Sequence, residues 1–367
     1  MRILWFNWRD ILNPDAGGAE VFTHEVMKRL TKRGYHMTLF TSRFKGCQLN
    51  ENIDGVDIIR EGNKYTVYKQ ARNYFKSYKH HYDLIIDEIN TRPFFIPKFV
   101  REKQVIALIH QLARDFWFYE TRFPLNYIGY YYLEKKWLSN YKDVTTLTVS
   151  DSTKMDLEQM GFKKLFVVSP GLNVTPLSDM KEKEANPTVV FIGRLKKAKL
   201  PHHALQAFSI IKREIPDAKM WIIGDGYLRK KLESLKSKDV TFFGHVSNEK
   251  KYELLSRAHI ILVPAVREGW GLIVTEANAM GTPAIGYDVH GLRDSIRHDE
   301  TGITISERSP RAMAQQAILL LRDSNRLSKY SRNALQFSKQ FNWDKTTSSF
   351  HKVLNDQCES NADAILS

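Results

Sequence analysis

The chain has 367 residues, a formal net charge of +14, 43% hydrophobic residues and only two cysteines, Cys47 and Cys358. At roughly 150 residues per domain, this length predicts two domains, and the apolar fraction is enough for two cores. Two cysteines exclude a disulfide framework and a four-thiolate zinc site, so we expect a reducing, cytoplasmic compartment. We expect no membrane span, because no apolar run approaches about 18 residues, and no signal peptide, because the apolar stretch in MRILWFNWRD is short and soon interrupted by charge.

Positive charge and aromatic residues are concentrated in the same part of the chain. Residues 60–142 contain 15 Lys and Arg, 8 Asp and Glu, and 20 of the 43 aromatic residues, most densely in 64–82 and 114–142. This mixture suits an anionic membrane surface, a nucleic-acid groove, or a solvated face over a Tyr-rich core. The chain has no RNP box, Cys/His finger or GXXG loop, so we expect no nucleic-acid partner.

Short apolar runs alternate with helical patterns along the chain, which predicts an α/β fold with parallel sheets. Phe22, Val26 and Leu30 share one face of a helix that Gly34 is placed to end. Ten strands are predicted: Ile3–Asn7, Met37–Thr41, Leu84–Asp87, Val105–His110, Thr146–Ser150, Val189–Gly193, Met220–Gly224, Val240–Gly244, Ile260–Pro264 and Ala284–Tyr287.

The domain boundary is predicted in the polar, proline-bracketed segment 174–187. We expect two doubly wound, Rossmann-like domains, 1–173 and 188–340, facing a central cleft. A helix over about 341–358 is a candidate for packing back onto the first domain.

Three motifs follow predicted strands and carry candidate chemistry. Gly17 and Gly18 precede a helix, where backbone N–H groups and the helix dipole favour an anion, although an ordinary tight turn has the same pattern. Arg194 and Lys199 can converge on a pyrophosphate, although the sequence KKAK also suits a solvated loop.

The third motif places Glu268 in a glycine-flanked loop and Glu276 about two turns along the following helix. Backbone N–H groups beside Glu268 can reach phosphate, and Glu276 can accept hydrogen bonds from vicinal hydroxyls. Two carboxylates beside a phosphate-ready loop at the mouth of a sheet describe a sugar-nucleotide site. Taken alone, both glutamates could equally be helix-surface residues.

With these motifs in place, the chain resembles a family-4 glycosyltransferase of the GT-B fold, a group of retaining enzymes that use nucleotide sugars. The Glu-x7-Glu element with its GWG and GTP flanks is the most specific match. Weaker matches run along nearly the whole chain: GGAE (17–20), VSPGLN (168–173), GRLKKAK (193–199), WIIGDG (221–226) and HGLRDSI…TG (290–302).

The resemblance implies a role for each matching residue. Glu268 would contact the donor sugar, Glu276 the ribose, and Arg194 with Lys199 the departing pyrophosphate. His110 would face the donor sugar, although a lone histidine there is more typical of a core or surface residue. His110 and Glu268 would be the catalytic residues, in the sense of positioning and polarising the sugar. The remaining donor-binding residues would be Gly17, Gly18, Gly171, Gly269, Trp270, Gly271 and Leu272.

Two departures from the family pattern concern this site. Leu200 and Pro201 follow Lys199 where glycine is usual, which puts the phosphate geometry of the loop in doubt. Trp270 stands where phenylalanine is common and should reshape the sugar pocket.

The sequence therefore predicts a retaining, metal-independent transfer of a hexose from a UDP- or GDP-sugar to a glycan or lipid-linked acceptor, without a cofactor. We expect the basic, aromatic segment to bring a cytoplasmic enzyme to the inner face of the membrane. The alternatives are a GT-B-like sugar-nucleotide epimerase and a non-enzymatic, basic membrane-binding protein. The sequence leaves open UDP-glucose, UDP-N-acetylglucosamine and GDP-mannose as donors.

Overall fold

Two parallel-stranded sheets organise the protein in a computed structural model that describes residues 1–100, 104–235 and 237–366. Residues 1–117, 123–171 and those from 342 onward form a first unit, and residues 118–122 and 172–341 form a second. No helix among the described residues has both the length and the apolar character to cross a bilayer. The α/β fold class read from the sequence is confirmed.

The first sheet has eight strands in the order β3-β4-β2-β1-β5-β6-β7-β8. The chain through residue 171 contains β1 (Arg2–Phe6), α1 (Gly18–Thr31), β2 (His36–Thr41), β3 (Asn50–Ile53), β4 (Val56–Arg60), α2 (Val67–Tyr78), β5 (Leu84–Glu88), β6 (Gln104–Ile109), α3 (Phe116–Glu120), α4 (Leu125–Ile128), α5 (Glu134–Leu138), β7 (Thr145–Thr148), α6 (Asp151–Gln159) and β8 (Leu165–Val167). A π-helical turn, Gly129–Leu133, joins α4 to α5.

One strand pair departs from the predicted parallel pairing. β3 and β4 are antiparallel and are joined by Asp54 and Gly55, both with positive φ, at 54° and 87°. Two consecutive residues with positive φ make a tight hairpin turn whose twist matches the flanking strands, and Asp-Gly is a favoured pair for it.

The second sheet has six parallel strands in the order β11-β10-β9-β12-β13-β14. Its elements are β9 (Thr188–Ile192), α7 (Pro201–Glu214), β10 (Lys219–Ile223), α8 (Arg229–Glu233), β11 (Val240–Gly244), α9 (Asn248–Arg257), β12 (Ile260–Val263), α10 (Leu272–Ala279), β13 (Ala284–Tyr287), α11 (Leu292–Ser295), β14 (Gly302–Ile305), α12 (Pro310–Arg322) and α13 (Ser324–Ser338). The polar segment 174–187 is hydrogen bonded to this unit, with the Leu177 N–H donating to Ala279 O at 3.0 Å.

The final helix, α14 (Trp343–Leu366), belongs to the first unit and packs against α1. On α1, the predicted stripe of Phe22, Val26 and Leu30 is buried. On α14, the ring of Phe350 is fully buried and stacks on Trp5 of β1, with ring centroids 5.4 Å apart. The first unit therefore takes part of its core from a segment that follows the second unit in sequence.

This packing gives a stability prediction. Replacing Phe350 with Ala removes a buried ring and leaves a cavity beside Trp5, so we expect the first unit to lose about 3–5 kcal/mol of unfolding free energy. Native-state hydrogen exchange of the β1 amides measures the loss for this unit specifically. Lys352→Ala, at an exposed position of the same helix, should change it by less than about 0.5 kcal/mol. A loss under about 1 kcal/mol for Phe350→Ala would contradict the assignment.

Candidate active site

Two loops of the second unit bring residues of separate sequence motifs together. β9 and β12 are neighbours at the point where the strand order reverses, so their carboxyl ends open at one edge of the sheet. Arg194 and Lys199 follow β9, and Glu268 follows β12. The loops are joined by a hydrogen bond in which the Val266 N–H donates to Ala198 O at 3.1 Å. The sheet topology thus creates the proximity that the motifs suggested.

Lys199 and Glu268 form an ion pair between Nζ and Oε1. Their side chains are 22% and 14% exposed, so the pair is shielded but reachable from solvent. The Glu268 N–H also donates to His290 O at 3.1 Å, which attaches this loop to the one after β13. The pair is a fixed combination of one cation and one acceptor at the edge of the sheet.

A third cation, Lys196, lies in the same loop and was missed in the sequence. Burial, together with the positive charges of Arg194 and Lys199, lowers the pKa of Lys196 to about 8. We call Arg194, Lys196 and Lys199 the cationic cluster. The run KKAK gave no means of separating Lys196 from Lys197, which is exposed. Three cations that repel one another favour an anionic ligand.

The unusual Leu200 keeps the left-handed backbone conformation that favours glycine. Its φ is +48° and its side chain is buried, and Pro201 then occupies the first turn of α7. Backbone strain of this kind costs about 1 kcal/mol or more, and burial of the leucine side chain offsets it. The loop thus makes the left-handed turn in spite of the departure from the family pattern.

The glycine-flanked loop leads directly into α10. Gly271 has φ +90° and precedes Leu272, the first residue of that helix. This left-handed conformation favours glycine, and a β-carbon there would also press on the side chain of Leu292, 2.9 Å away. The Trp270 ring is buried edge-on against Phe341 at 5.4 Å. The backbone of Gly269–Gly271 is therefore fixed by the start of α10 and by the packing of Trp270 on Phe341.

Glu276 lies within α10 and is also paired with a lysine. Lys251 Nζ of α9 is 2.9 Å from both carboxylate oxygens, and the Tyr252 hydroxyl donates to Oε1 at 3.2 Å. Burial raises the pKa of Tyr252, and the Glu276 charge raises it further, so this hydroxyl keeps its proton. Nothing in the spacing of residues 251 and 276 suggested this contact.

In the first unit, Gly17 and Gly18 stand at the N-terminus of α1, after β1. The Gly17 N–H donates to Glu20 Oε2 at 2.6 Å, and Arg9 Nε donates to Glu20 Oε1 at 2.9 Å. These contacts fix the entry into the helix. Gly18 is exposed at the first turn, where free N–H groups and the helix dipole attract anions.

His110 directly follows β6 and is 7% exposed. Its Nε2 is 3.1 Å from Oε1 of Glu88, the last residue of β5, and its ring packs edge-on against Phe22. Glu88 is buried and also accepts hydrogen bonds from Trp5 Nε1 at 2.8 Å and the Thr23 hydroxyl at 2.6 Å. This carboxylate was missed, although a charged residue ending an apolar strand is a usable sequence signal.

Gly171 has a packing role in the first unit. A β-carbon at this position would lie 2.4 Å from the backbone nitrogen of Trp343, at the start of α14. Glycine is required there because the two backbone segments approach too closely for any side chain. Within the described ranges, no three His, Cys, Asp or Glu side chains are arranged to hold a metal ion.

Two protein-family models match adjoining parts of this chain. Residues 16–175 match the family model described as Glycosyltransferase Family 4, and residues 178–337 match that described as Glycosyl transferases group 1. D-inositol 3-phosphate glycosyltransferase of Thermobispora bispora is 26% identical over 54% of this chain and 51% of its own length. The chain spans about half the length of the curated relatives it matches.

Solved structures share the fold over almost the whole chain. Sucrose-phosphate synthase of Thermosynechococcus elongatus has a TM-score of 0.80 at 18% identity, covering 98% of this chain and 99% of that chain. HepE of Anabaena, solved in complex with UDP-glucose, has a TM-score of 0.73 at 14% identity, covering 97% and 100%. Two family models match adjoining halves of the chain, and the architecture is that of GT-B enzymes. The chain therefore belongs to glycosyltransferase family 4 and has the GT-B fold.

Proposed function

We propose that the protein transfers a hexose from a UDP- or GDP-sugar to a hydroxyl of a glycan or lipid-linked acceptor, with retention of anomeric configuration. The observation that carries the proposal is the Lys199–Glu268 pair beside Arg194, at the carboxyl edge of β9 and β12. It offers cations for a pyrophosphate next to an acceptor for sugar hydroxyls. The nucleotide-sugar donor is further supported by the UDP-glucose complex of HepE.

In the proposed reaction, the bond between the anomeric carbon and the diphosphate oxygen breaks as the acceptor oxygen bonds to that carbon. Attack occurs on the face that the diphosphate leaves, and the departing phosphate takes the proton of the acceptor hydroxyl. Negative charge grows on the leaving group, so the cationic cluster would lower the barrier by electrostatic stabilisation. No protein nucleophile and no divalent metal are needed in this scheme.

The other residues have supporting roles in the proposal. Glu268 would hold hydroxyls of the donor sugar, and Glu276 would hold the ribose. The backbone of Gly269–Gly271 and Leu272 would approach the sugar and phosphates. In the first unit, His110 would polarise the reacting sugar, and Gly17 with Gly18 would offer helix N–H groups to the pyrophosphate. Gly171 keeps its packing role, and its assignment to donor binding remains a prediction.

A transfer assay with UDP- and GDP-sugars in the presence of EDTA tests the proposal. We expect turnover to survive chelation and the product to keep the donor's anomeric configuration by ¹H NMR.

Glu268→Ala and Lys199→Ala should each reduce transfer by at least about 10²-fold, since each removes a group that acts on the transition state. Lys197→Ala, an exposed neighbour, is the matched control and should stay near wild type. Near-normal turnover in either site variant would contradict the roles assigned to Glu268 and Lys199. Formation of an epimerised donor sugar in the absence of acceptor would favour an epimerase.

The pKa of Lys196 makes nucleotide binding dependent on pH. Lys196 is protonated below about pH 8 in the free protein, and a bound diphosphate favours the protonated form. We therefore expect the affinity for UDP or GDP to fall by about fivefold between about pH 7.5 and 9 by calorimetry. Lys196→Arg keeps its charge throughout this range and should show a flat profile. A wild-type profile as flat as that of the arginine variant would contradict the prediction.

We further propose that the first unit docks on an anionic membrane that presents the acceptor. Most aromatic residues of 64–82 pack into the core, so the proposal rests on a narrower surface, the exposed aromatic strip of residues 123–132. Its exposed side chains are Phe123, Leu125, Tyr127, Ile128, Tyr131 and Tyr132. The rings of Phe123, Tyr127 and Tyr131 follow one another along the strip at about one helical turn, with centroids 6.1 and 6.2 Å apart. Lys136 adds positive charge beside Tyr132.

Vesicle sedimentation tests this surface. The wild-type protein should sediment with phosphatidylglycerol-containing vesicles at low salt and less at high salt, because salt screens the lysine and arginine charges. Replacing Phe123, Tyr127 and Tyr131 with Ser should weaken binding by at least about tenfold, since three exposed rings no longer enter the interface. Tyr65→Ser, an exposed tyrosine outside the strip, is the control. Equal binding of the triple variant would exclude the strip as the contact.

A further inference from the structure

Lys251 and Glu276 form the most symmetric charged contact in the candidate donor site. Lys251 Nζ is 2.9 Å from Oε1 and 2.9 Å from Oε2, so one ammonium group bridges the whole carboxylate. The side chains are 17% and 11% exposed, which limits the screening of their charges by water. Because the bridge engages both oxygens, it restrains the rotation of the carboxylate.

Tyr252, next to Lys251 on α9, completes the contact. Its hydroxyl donates to Glu276 Oε1 at 3.2 Å, and Lys251 Nζ lies 4.6 Å from the centre of the Tyr252 ring. An ionised carboxylate has about four acceptor positions, and these contacts use three of them. Glu276 thus keeps acceptor capacity for a ligand while its orientation is fixed by groups of another helix.

Glu276 could not be held in this way by α10 alone. It lies in a short helix, where a free glutamate side chain samples several rotamers and would have to be ordered when a ligand binds. A carboxylate ordered before binding accepts hydrogen bonds from hydroxyls without that cost. The contact with Lys251 is a charge-assisted one, a class that is stronger than contacts between neutral groups.

We propose that Lys251 is a positioning residue that holds Glu276 ready for the ribose hydroxyls of the donor nucleotide. This inference rests on the proposed function, which assigns the ribose to Glu276. It requires that Lys251 contributes to nucleotide affinity only when the ribose hydroxyls are present. A lysine that acted directly on phosphate, or only on folding, would not depend on those hydroxyls.

The test is calorimetry with UDP and GDP and with their 2′,3′-dideoxy analogues. For the nucleotide that binds, we expect Lys251→Met to weaken affinity by about tenfold, the effect of losing a charge-assisted hydrogen bond. The dideoxy analogue should bind the wild type and Lys251→Met equally. Lys251→Arg keeps a cation at the site and should retain most of the affinity.

Two comparisons make the test specific. Lys250→Met removes the same charge one residue earlier, where the lysine pairs with Glu253, and should leave affinity unchanged. In a double-mutant cycle, Lys251→Met should add little to the loss caused by Glu276→Gln, since both act through one contact.

The possible failures are distinguishable. Wild-type protein that binds neither UDP nor GDP overturns the proposed function, and this inference with it. Wild-type binding together with an unchanged Lys251→Met variant overturns the inference alone. An equal loss for the ribonucleotide and its dideoxy analogue also overturns it, because Lys251 would then act on the phosphates or on the fold. Thermal unfolding of each variant identifies a loss that comes from instability.

Discussion

The parallel pairing of β9 with β12 is the constraint on which the candidate donor site depends. Both strands run in the same direction, so the loops that follow them begin at the same edge of the sheet, next to each other. Arg194 and Lys199 enter from one loop and Glu268 from the other. The first sheet has the same arrangement at its two central strands, β1 and β5. Gly18 lies after β1, and Glu88 is the last residue of β5.

Electrostatic pairing is the second feature that the site residues share. Glu268 is paired with Lys199, and Glu276 with Lys251, so each carboxylate has a cation in the ligand-free protein. Each pair offsets part of the cost of burying a charged carboxylate, and it fixes the position of that carboxylate before a ligand binds. Lys199 also belongs to the cationic cluster, so its ammonium group is already in place when a phosphate binds there.

The sequence was sufficient for the architecture because buried parallel strands leave strong apolar runs. All ten predicted strands match strands of the structure, with ends that differ by at most two residues. Strands β3, β4, β8 and β14 were missed because none of them is completely buried, so their apolar runs are weaker. The Asp54-Gly55 turn was a readable hairpin signal that the expectation of parallel pairing obscured.

The site was readable only where its residues stand in local motifs. Lys199 and Glu268 were found because glycines and strand ends surround them. Lys251 and Glu88 were not, since their roles arise from contacts between elements far apart in the chain. Lys196 could not be recognised because it stands in a run of lysines. It differs from its neighbour Lys197 in burial, which the residue type does not show.

The stacking of Phe350 on Trp5 also has a consequence for biosynthesis. Trp5 leaves the ribosome before nearly all of the second unit, whereas Phe350 emerges only after all of the second unit has been made. The second unit has almost all of its chain available earlier and can complete its core first. The first unit cannot complete its core until Phe350 is available to cover Trp5 on its central strand. The order in which the cores close is therefore the reverse of the order in which the units begin along the chain.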